Sequence, residues 1–389
     1  MLRTPANPRL LREKEDLRAR KWRQMAIRRT KPDGTPETGK GGGAEWDFPV
    51  KDPKLIRRTW KGIPDCWRGA AWHAFLTASS KARGIGQSDN TLASVYHELL
   101  TLPCSDDVQI DLDVPRTISS HVLFRRRYRG GQRLLFRVLH SLALYFPHIG
   151  YVQGMASLAA TLLCYYDEGT AFIMLVRLWQ LRGLEQLYEA GFGGLMTALD
   201  EFETKWMKNT VIQKKLKFLN INATAYGTRW YLTLFNYSIP FAAQLRIWDV
   251  FMLLGDPTPT STSPAFLSLR STTSLSSSRR NSASATSNRL YNPTRPSTMH
   301  TTNINHVNMH DPPPPPTTAN NDTTTVQFNG TLDVLHATSA AILDGMKTII
   351  LKADFEEAMK NLTSFVPVRD EDMLMRVVKA EWKARRRRW

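Results

Sequence analysis

Cysteine is scarce in this sequence, and Cys66, Cys104 and Cys164 lie far apart along the chain. Three such cysteines fit neither a disulfide framework nor a CxxC zinc site, so we expect a reducing, cytosolic setting. Apolar runs of the roughly 18 residues that a membrane-spanning helix needs are also lacking. The first residues contain no apolar segment of the kind found in a secretory signal, so nothing in the sequence indicates secretion.

Acidic residues are outnumbered, because 52 lysines and arginines face 35 aspartates and glutamates, which gives a net charge of +17. The excess lies at the two ends. Residues 1–31 contain 11 basic and three acidic side chains, and residues 382–389 add five positive charges. We therefore expect basic tails that serve as solvated arms, as localisation signals or as anchors for anionic membrane surfaces.

Two segments have the composition of connecting peptides. Residues 31–44 are rich in Gly, Pro and Thr, which is typical of a flexible joint. In residues 257–330, 46 of 74 positions are Ser, Thr, Pro or Asn, too polar to form a core, so we predict a disordered insertion. Within it, Ser282 follows two arginines and an asparagine, as in a basophilic kinase site. The predicted divisions are a basic tail and linker (1–45), the main domain (46–256), the insertion (257–330), the last domain helices (331–381) and a basic tail (382–389).

The rest of the chain has the periodicity of helices. Apolar residues recur every three or four positions in Leu134–Phe146, Leu195–Trp206 and Phe241–Met252. Gly255 stands where a left-handed helix cap is expected, and Asp354 with a glutamate three residues later forms a capping box. Alternating strand patterns are hard to find, so we predict an all-α fold.

Motifs of independent catalysis are missing. The sequence has no HExxH, no GxSxG, no Rossmann glycines after a strand and no cluster of metal ligands. Residues 34–40 nearly match a phosphate-binding loop, but Gly41 replaces the required Ser or Thr and no strand precedes the match. We therefore expect neither a metal site nor a nucleotide site in this chain.

Two polar loops interrupt the apolar body. In the first, Pro115 restricts the backbone, so Ile110 and Val114 face inward while Arg116 lies at the rim. Asp113, three residues earlier, is placed to orient that guanidinium or to cap a helix. Taken alone, Asp113 and Arg116 fit a structural pair better than a catalytic one.

The second loop is Gly150-Tyr151-Val152-Gln153-Gly154, before the apolar helix that starts at Met155. The flanking glycines allow unusual backbone angles and the close approach of another surface. Gln153 is expected near a helix start with its amide directed outward, beside Tyr151. In isolation, Gln153 fits an ordinary helix cap or a residue that forms hydrogen bonds within the loop better than a catalytic group.

Together these residues resemble the TBC domain, the catalytic module of GTPase-activating proteins for Rab GTPases. The resemblance runs from about Trp60 to the C-terminal helices, interrupted by the insertion. Four motifs carry it: Trp60-Lys61-Gly62-Ile63-Pro64 followed by Arg68-Gly69 and Trp72; Ile110, Asp113 and Arg116 as I-x-x-D-x-x-R; Tyr151-Val152-Gln153-Gly154 as Y-x-Q-G; and Trp230, Phe235, Pro240, Arg246, Trp248 and Asp249.

The resemblance implies a helical TBC fold of two subdomains and a two-finger mechanism. Arg116 would enter the active site of a GTP-bound Rab and neutralise charge on the transferring phosphoryl group, and Gln153 would orient the attacking water. Asp113, Tyr151 and Gly154 would support these two residues. GTP and Mg²⁺ would belong to the partner, so the chain needs no cofactor of its own, and no nucleic acid partner is expected. The implied setting is cytoplasmic, at the periphery of endomembranes, in vesicle transport.

Two other functions remain open from the sequence. A non-catalytic TBC fold would bind a Rab as an effector or scaffold, against which the intact Arg116 and Gln153 argue. A protein directed to a membrane surface or to nucleic acid would depend on the basic tails. Several motif residues are expected to be scaffold: Trp60, Arg68, Trp72 and Trp230 as core, and Arg246 with Asp249 as an ion pair on one helix.

Overall fold

The computed structural model describes residues 8–30, 45–119, 121–125, 130–257 and 327–386. Over these ranges the regular secondary structure is helical apart from one antiparallel pair of two-residue strands, β1 (Ile27–Arg28) and β2 (Trp46–Asp47). The all-α fold class is thereby confirmed. The helices are α1 (Pro8–Arg23), α2 (Pro53–Trp60), α3 (Asp65–Arg83), α4 (Asp89–Leu99), α5 (Asp107–Asp113), α6 (Gly131–Tyr145), α7 (Met155–Leu163), α8 (Glu168–Leu181), α9 (Leu184–Tyr188), α10 (Gly193–Glu201), α11 (Val211–Phe218), α12 (Thr224–Leu232), α13 (Phe241–Leu254), α14 (Asp333–Gly345), α15 (Lys347–Lys352), α16 (Phe355–Thr363) and α17 (Glu371–Arg386).

Side-chain caps explain where several helices begin. Ser88 accepts a hydrogen bond from the amide of Thr91 at the start of α4, and Asp167 accepts one from Thr170 at the start of α8. Asp354 accepts from the amide of Glu357, as its capping pattern predicted. Each cap satisfies a backbone donor that the first helical turn leaves unpaired.

The centre of the core is formed by α7 and α8, which are buried along nearly their whole length. Helices that are apolar on all sides are stable only when other helices surround them, and α8 contacts α3, α4, α6 and α7. Trp72, Trp179, Trp230 and Trp248 are fully buried around this centre. The two helical sets before and after the insertion share one continuous hydrophobic core.

The end of α13 differs from the expected left-handed cap. Gly255 has φ −82°, and the terminal carbonyls of the helix are bound instead by the buried guanidinium of Arg182. Arg182 donates to the carbonyl oxygens of Phe251 (3.2 Å) and Met252 (2.6 Å). A Cβ atom at position 255 would lie 2.6 Å from Arg182 Cδ. Glycine is therefore required here by the close approach of a side chain, not by its backbone angle.

The basic N-terminal segment is more ordered than a solvated tail. Residues 8–23 form α1, and Trp22 and Met25 enter the core. Trp67 Nε1 donates to the carbonyl oxygen of Ala19 (3.1 Å), and Arg58 donates to that of Lys21 (2.6 Å). Because charged residues dominate this segment, its composition did not indicate that Trp22 and Met25 pack against the domain. At the other end, α17 includes residues 382–386 of the expected basic tail.

Several predicted features lie outside the described residues. These are the linker 31–44 with its phosphate-loop-like match, and residues 258–326 of the predicted insertion, which include Ser282. Among the residues that are described, no helix combines the length and apolar character needed to span a bilayer.

Candidate functional site

The first polar loop directly follows α5. The chain passes from α5 into a single 3-10 turn, Val114–Arg116, which Ile110 and Val114 anchor by inserting into the core. The turn presents Arg116 to solvent, and 60% of its side chain is exposed. Burial of the two apolar residues thus fixes a short, rigid support for an outward guanidinium.

The carboxylate of Asp113 is buried beneath this loop and is shared by two donors. Its Oδ1 accepts from Arg116 Nε at 2.9 Å and also from Arg116 Nη2. Its Oδ2 accepts from the hydroxyl of Tyr151 at 2.6 Å. Burial, and then the hydrogen bond to Asp113, raises the pKa of the Tyr151 phenol, which therefore remains a proton donor. Asp113 joins the first loop to the second.

The second loop is held at its beginning by the other end of α5. Asp106 Oδ2 accepts from the backbone amide of Tyr151 at 2.7 Å. A Cβ atom on Gly150 would lie 2.8 Å from the same oxygen and would disturb this contact, and the φ of +66° at Gly150 also favours glycine. Gly154 has φ +112°, a backbone angle that side chains other than glycine rarely adopt. Between these glycines, Gln153 is exposed and its amide forms no hydrogen bond with the described residues.

Arg116 and Gln153 line one cleft with a volume of about 420 Å³. The sequence placed them on separate loops, and the tertiary fold brings them to the same surface. The other residues around the cleft are Asp113, Thr117, Gly154, Ala156, Ser157, Arg229, Leu232, Thr233 and Tyr237.

The model of the Rab-GTPase-TBC domain family matches residues 65–274. This chain belongs to the Rab-GTPase-TBC domain family. A TBC domain-containing protein of Schizosaccharomyces pombe is 37% identical over 86% of this chain and 62% of its own length. The Rab GTPase-activating protein tbc-11 of Caenorhabditis elegans is 31% identical over 54% of this chain and 22% of its own. The chain thus spans less than two thirds of the length of each of these relatives.

Solved structures of similar fold cover nearly the whole TBC domain. The Ypt/Rab-GAP domain of Gyp1p aligns with a TM-score of 0.55 at 14% identity, over 87% of this chain and 96% of that one. A Chlamydomonas flagellar RabGAP TBC domain aligns with a TM-score of 0.54 at 16% identity, over 97% of each chain. At such low identity the agreement establishes the fold.

The opening motif of the TBC domain is scaffold, as expected. Asp249 on α13 is fully buried and accepts hydrogen bonds from Arg68 Nε (3.0 Å), Trp72 Nε1 (2.9 Å) and the amide of Ile63 (2.9 Å). These contacts fasten the start of α3 to α13. A buried carboxylate with three donors, one of them the cation Arg68, is well compensated, whereas removal of Arg68 would leave a buried charge unpaired.

The predicted ion pair between Arg246 and Asp249 is wrong. Asp249 binds Arg68, while Arg246 Nη1 lies 2.9 Å from Asp372 Oδ1 on α17. The spacing of three residues made Arg246 and Asp249 neighbours on α13, but in the folded chain each of them pairs with a residue of another helix. Arg246 therefore connects the segment after the insertion to α13.

Three features of the cleft region were missed by sequence reasoning. Arg229 lines the cleft, and its guanidinium donates to the carbonyl oxygens of Tyr237 and Thr363, each at 3.2 Å. Tyr237 also lines it, at the end of a turn in which its φ is +62°. Asp106 supports the second loop from a distance of 45 residues. The only local signal was the position of Arg229 beside Trp230 in the aromatic motif.

One group of potential metal ligands lies near α5. A ligand atom from each of Cys104, Asp107 and His140 lies within 4.8 Å of the others. Both ring nitrogens of His140 already face oxygen atoms, Asp107 Oδ1 at 2.7 Å and the carbonyl oxygen of Leu99 at 3.2 Å. The group is explained by these hydrogen bonds, so it gives no reason to assign a metal.

Proposed function

We propose that this TBC domain accelerates GTP hydrolysis by a Rab-family GTPase, with Arg116 and Gln153 supplied in trans. The observation that carries the proposal is that both side chains line one cleft of a fold whose relatives include proteins named as GTPase activators. The GTPase would contribute GTP and Mg²⁺, and the TBC domain would contribute the two side chains.

The arginine has the geometry that charge stabilisation needs. Phosphoryl transfer requires little covalent help, so positioned charges provide most of the acceleration. Arg116 is exposed, while Asp113 holds its Nε and Nη2 from below. Nη1 has no partner among the described residues and is available to a phosphate oxygen. The planar, permanently charged guanidinium suits that contact better than a lysine would.

The glutamine has the chemistry that water positioning needs. An amide both donates and accepts, so it can hold a water molecule and a backbone group together. Gln153 projects from a loop that Asp106 and two glycines fix in place. Gly154, at φ +112°, supplies the backbone angle with which the loop turns into α7 directly after Gln153.

The decisive test is stimulated phosphate release across a panel of purified GTP-loaded Rab proteins. For the Rab that responds, Arg116→Ala and Arg116→Lys should each lower the stimulated rate about 1,000-fold, the lower end of the range for an arginine finger. Gln153→Ala should also cause a large loss. The matched controls Arg133→Ala and Gln24→Ala change exposed residues outside the cleft and should retain wild-type stimulation.

The same panel separates activation from simple binding. If Arg116→Ala and Gln153→Ala both kept wild-type stimulation, the assignment of the two residues would be rejected. A Rab that binds the chain tightly without faster phosphate release would support the effector or scaffold function instead. Circular dichroism of each variant should match that of the wild type, which excludes loss of fold as the cause.

A further inference from the structure

Basic residues of α2 and α17, two helices that are far apart in sequence, meet on one surface. Trp60, the last residue of α2, packs against Trp382 of α17 with ring centroids 5.6 Å apart. On its other side α2 adjoins α1, because Arg18 donates to the carbonyl oxygens of Lys61 (2.9 Å) and Gly62 (2.5 Å). Helix α2 is therefore in contact with both α17 and α1.

Four cations concentrate at the junction of α2 and α17, and we call them the basic surface: Arg57, Lys61, Lys379 and Lys383. The ammonium of Lys379 lies 5.5 Å from the centre of the Trp60 ring. Partial burial, and then repulsion by Lys383, Lys61 and Arg57, lowers the pKa of Lys379. Lys61 directly follows Trp60 and Lys383 directly follows Trp382, so the packing of these two rings brings the cations of both helices to one junction.

The basic surface lacks compensating acids among the residues that the structure describes. None of the four cations forms an ion pair there, although ion pairs occur on adjoining elements. Asp372 on α17 is occupied by Arg246. Glu381 lines a separate cavity with Trp206 and Asp344, on another side of α17. Like charges gathered without counter-charges destabilise the folded state, and an anionic partner would relieve that cost.

We propose that the basic surface binds the headgroups of anionic phospholipids. Three of its four cations are lysines, whose compact charges suit a spread of negative headgroups better than a single bidentate ligand. The surface shares no residue with the cleft of Arg116 and Gln153, so it is independent of the proposed GTPase activation.

Vesicle flotation of the full chain tests the proposal. The chain should float with vesicles that combine phosphatidylserine and phosphatidylcholine, and not with phosphatidylcholine alone. Lys61→Glu with Lys383→Glu should weaken partitioning at least about 25-fold, because each basic residue near an anionic bilayer contributes about fivefold. The matched control Lys81→Glu with Lys217→Glu makes the same change in net charge at exposed positions outside the basic surface.

The control decides whether the location of the charge or its total is responsible. Equal losses in the two double variants would overturn the proposal, as would equal binding to neutral vesicles. Binding of a DNA duplex with no flotation on anionic vesicles would also overturn it, in favour of a nucleic acid partner. Since all four substituted residues are exposed, thermal unfolding should show both variants folded, so that a selective loss in the first variant can be assigned to the basic surface.

Discussion

At the scale of single residues, Asp113 has the central position, because one carboxylate serves both loops. Its two oxygens bind different loops: Oδ1 binds the guanidinium of Arg116, and Oδ2 binds the hydroxyl of Tyr151. From the sequence, Tyr151 was expected to support Gln153, its near neighbour. The hydroxyl instead reaches a residue 38 positions away, a partner that only the folded chain could reveal.

We predict that Tyr151→Phe weakens catalysis more than it weakens the fold. The change removes the hydroxyl that holds Asp113 Oδ2 and leaves the aromatic ring in place. Stimulated phosphate release should fall about tenfold, or about 1.4 kcal/mol of barrier, since a hydrogen bond to a charged group is at stake. Single-turnover kinetics with saturating TBC domain would measure this loss.

A second tyrosine provides the control for this prediction. The hydroxyl of Tyr166 donates to the carbonyl oxygen of Gly69 at 2.6 Å, away from both loops. Tyr166→Phe should cost a similar free energy of unfolding, about 1 kcal/mol, with little change in the rate. Equal rate losses in the two variants would mean that stability, rather than the position of Asp113, controls the rate.

At the scale of elements, α5 works as a support with a carboxylate at each end. Asp106 immediately precedes the helix and Asp113 is its last residue, and both bind Tyr151. Because the rise per residue of a helix is constant, the distance between Asp106 and Asp113 is fixed. Their two contacts therefore hold the second loop in one place. The sequence identified Asp113 through its motif, but Asp106 has no motif that links it to the second loop.

We predict that Asp106→Asn acts on catalysis through Gln153. The amide is a weaker acceptor for the backbone amide of Tyr151, so the second loop should lose its fixed position. Stimulated phosphate release should fall about tenfold in the wild-type background, roughly 1.4 kcal/mol. In the Gln153→Ala background the same change should have little effect, because a positioning residue acts only through the group that it positions.

Helix α5 also supplies a control for the combination of Asp106→Asn with Gln153→Ala. Asp111→Asn alters an exposed acid on α5 and should be silent in both backgrounds. Additive losses from Asp106→Asn and Gln153→Ala would contradict the positioning role. Far-ultraviolet circular dichroism would verify that α5 and its neighbours remain helical.

The accuracy of prediction from sequence also depended on the kind of element. Helices with a wide apolar stripe, such as α6 and α13, and the cap at Asp354 were recovered, since these signals are local. Helix α1 was interpreted as a tail, because Trp22 and Met25 are few among many charges. Gly255 was assigned a left-handed angle, yet its identity is explained by the close approach of the buried Arg182, which follows α8. Contacts between residues that are far apart in sequence produce no periodic pattern, so the sequence does not predict them.

At the scale of the whole molecule, the segment after the insertion docks through a buried histidine. His336 on α14 is buried, and its Nδ1 lies 2.7 Å from the hydroxyl of Tyr231 on α12. Its ring stacks on Phe202 with a centroid distance of 6.1 Å. The sequence left open how the last helices dock, and this contact, together with Arg246 and Asp372, joins them to the main part of the domain.

The same histidine should make the stability of the domain depend on pH. Burial, and then repulsion by Lys205, lowers the pKa of His336 to about 3. The imidazole has an ordinary pKa of about 6.5 in the unfolded chain, so below that value the unfolded state binds the proton more readily. Stability is therefore retained above pH of about 6.5 and is lost progressively as the pH falls towards 3.

We predict that the free energy of unfolding falls by about 2 kcal/mol between pH 7 and pH 5 through His336 alone. His336→Asn, whose amide oxygen can accept from Tyr231 but cannot be protonated in this range, should remove that part of the pH dependence. Urea unfolding at pH 7 and pH 5 measures the change in the free energy of unfolding for each variant separately. A loss of stability that is the same at both pH values therefore cancels. The control His97→Asn changes an exposed histidine and should keep the wild-type difference. Identical differences in the two variants would show that protonation elsewhere limits the stability of the domain in acid.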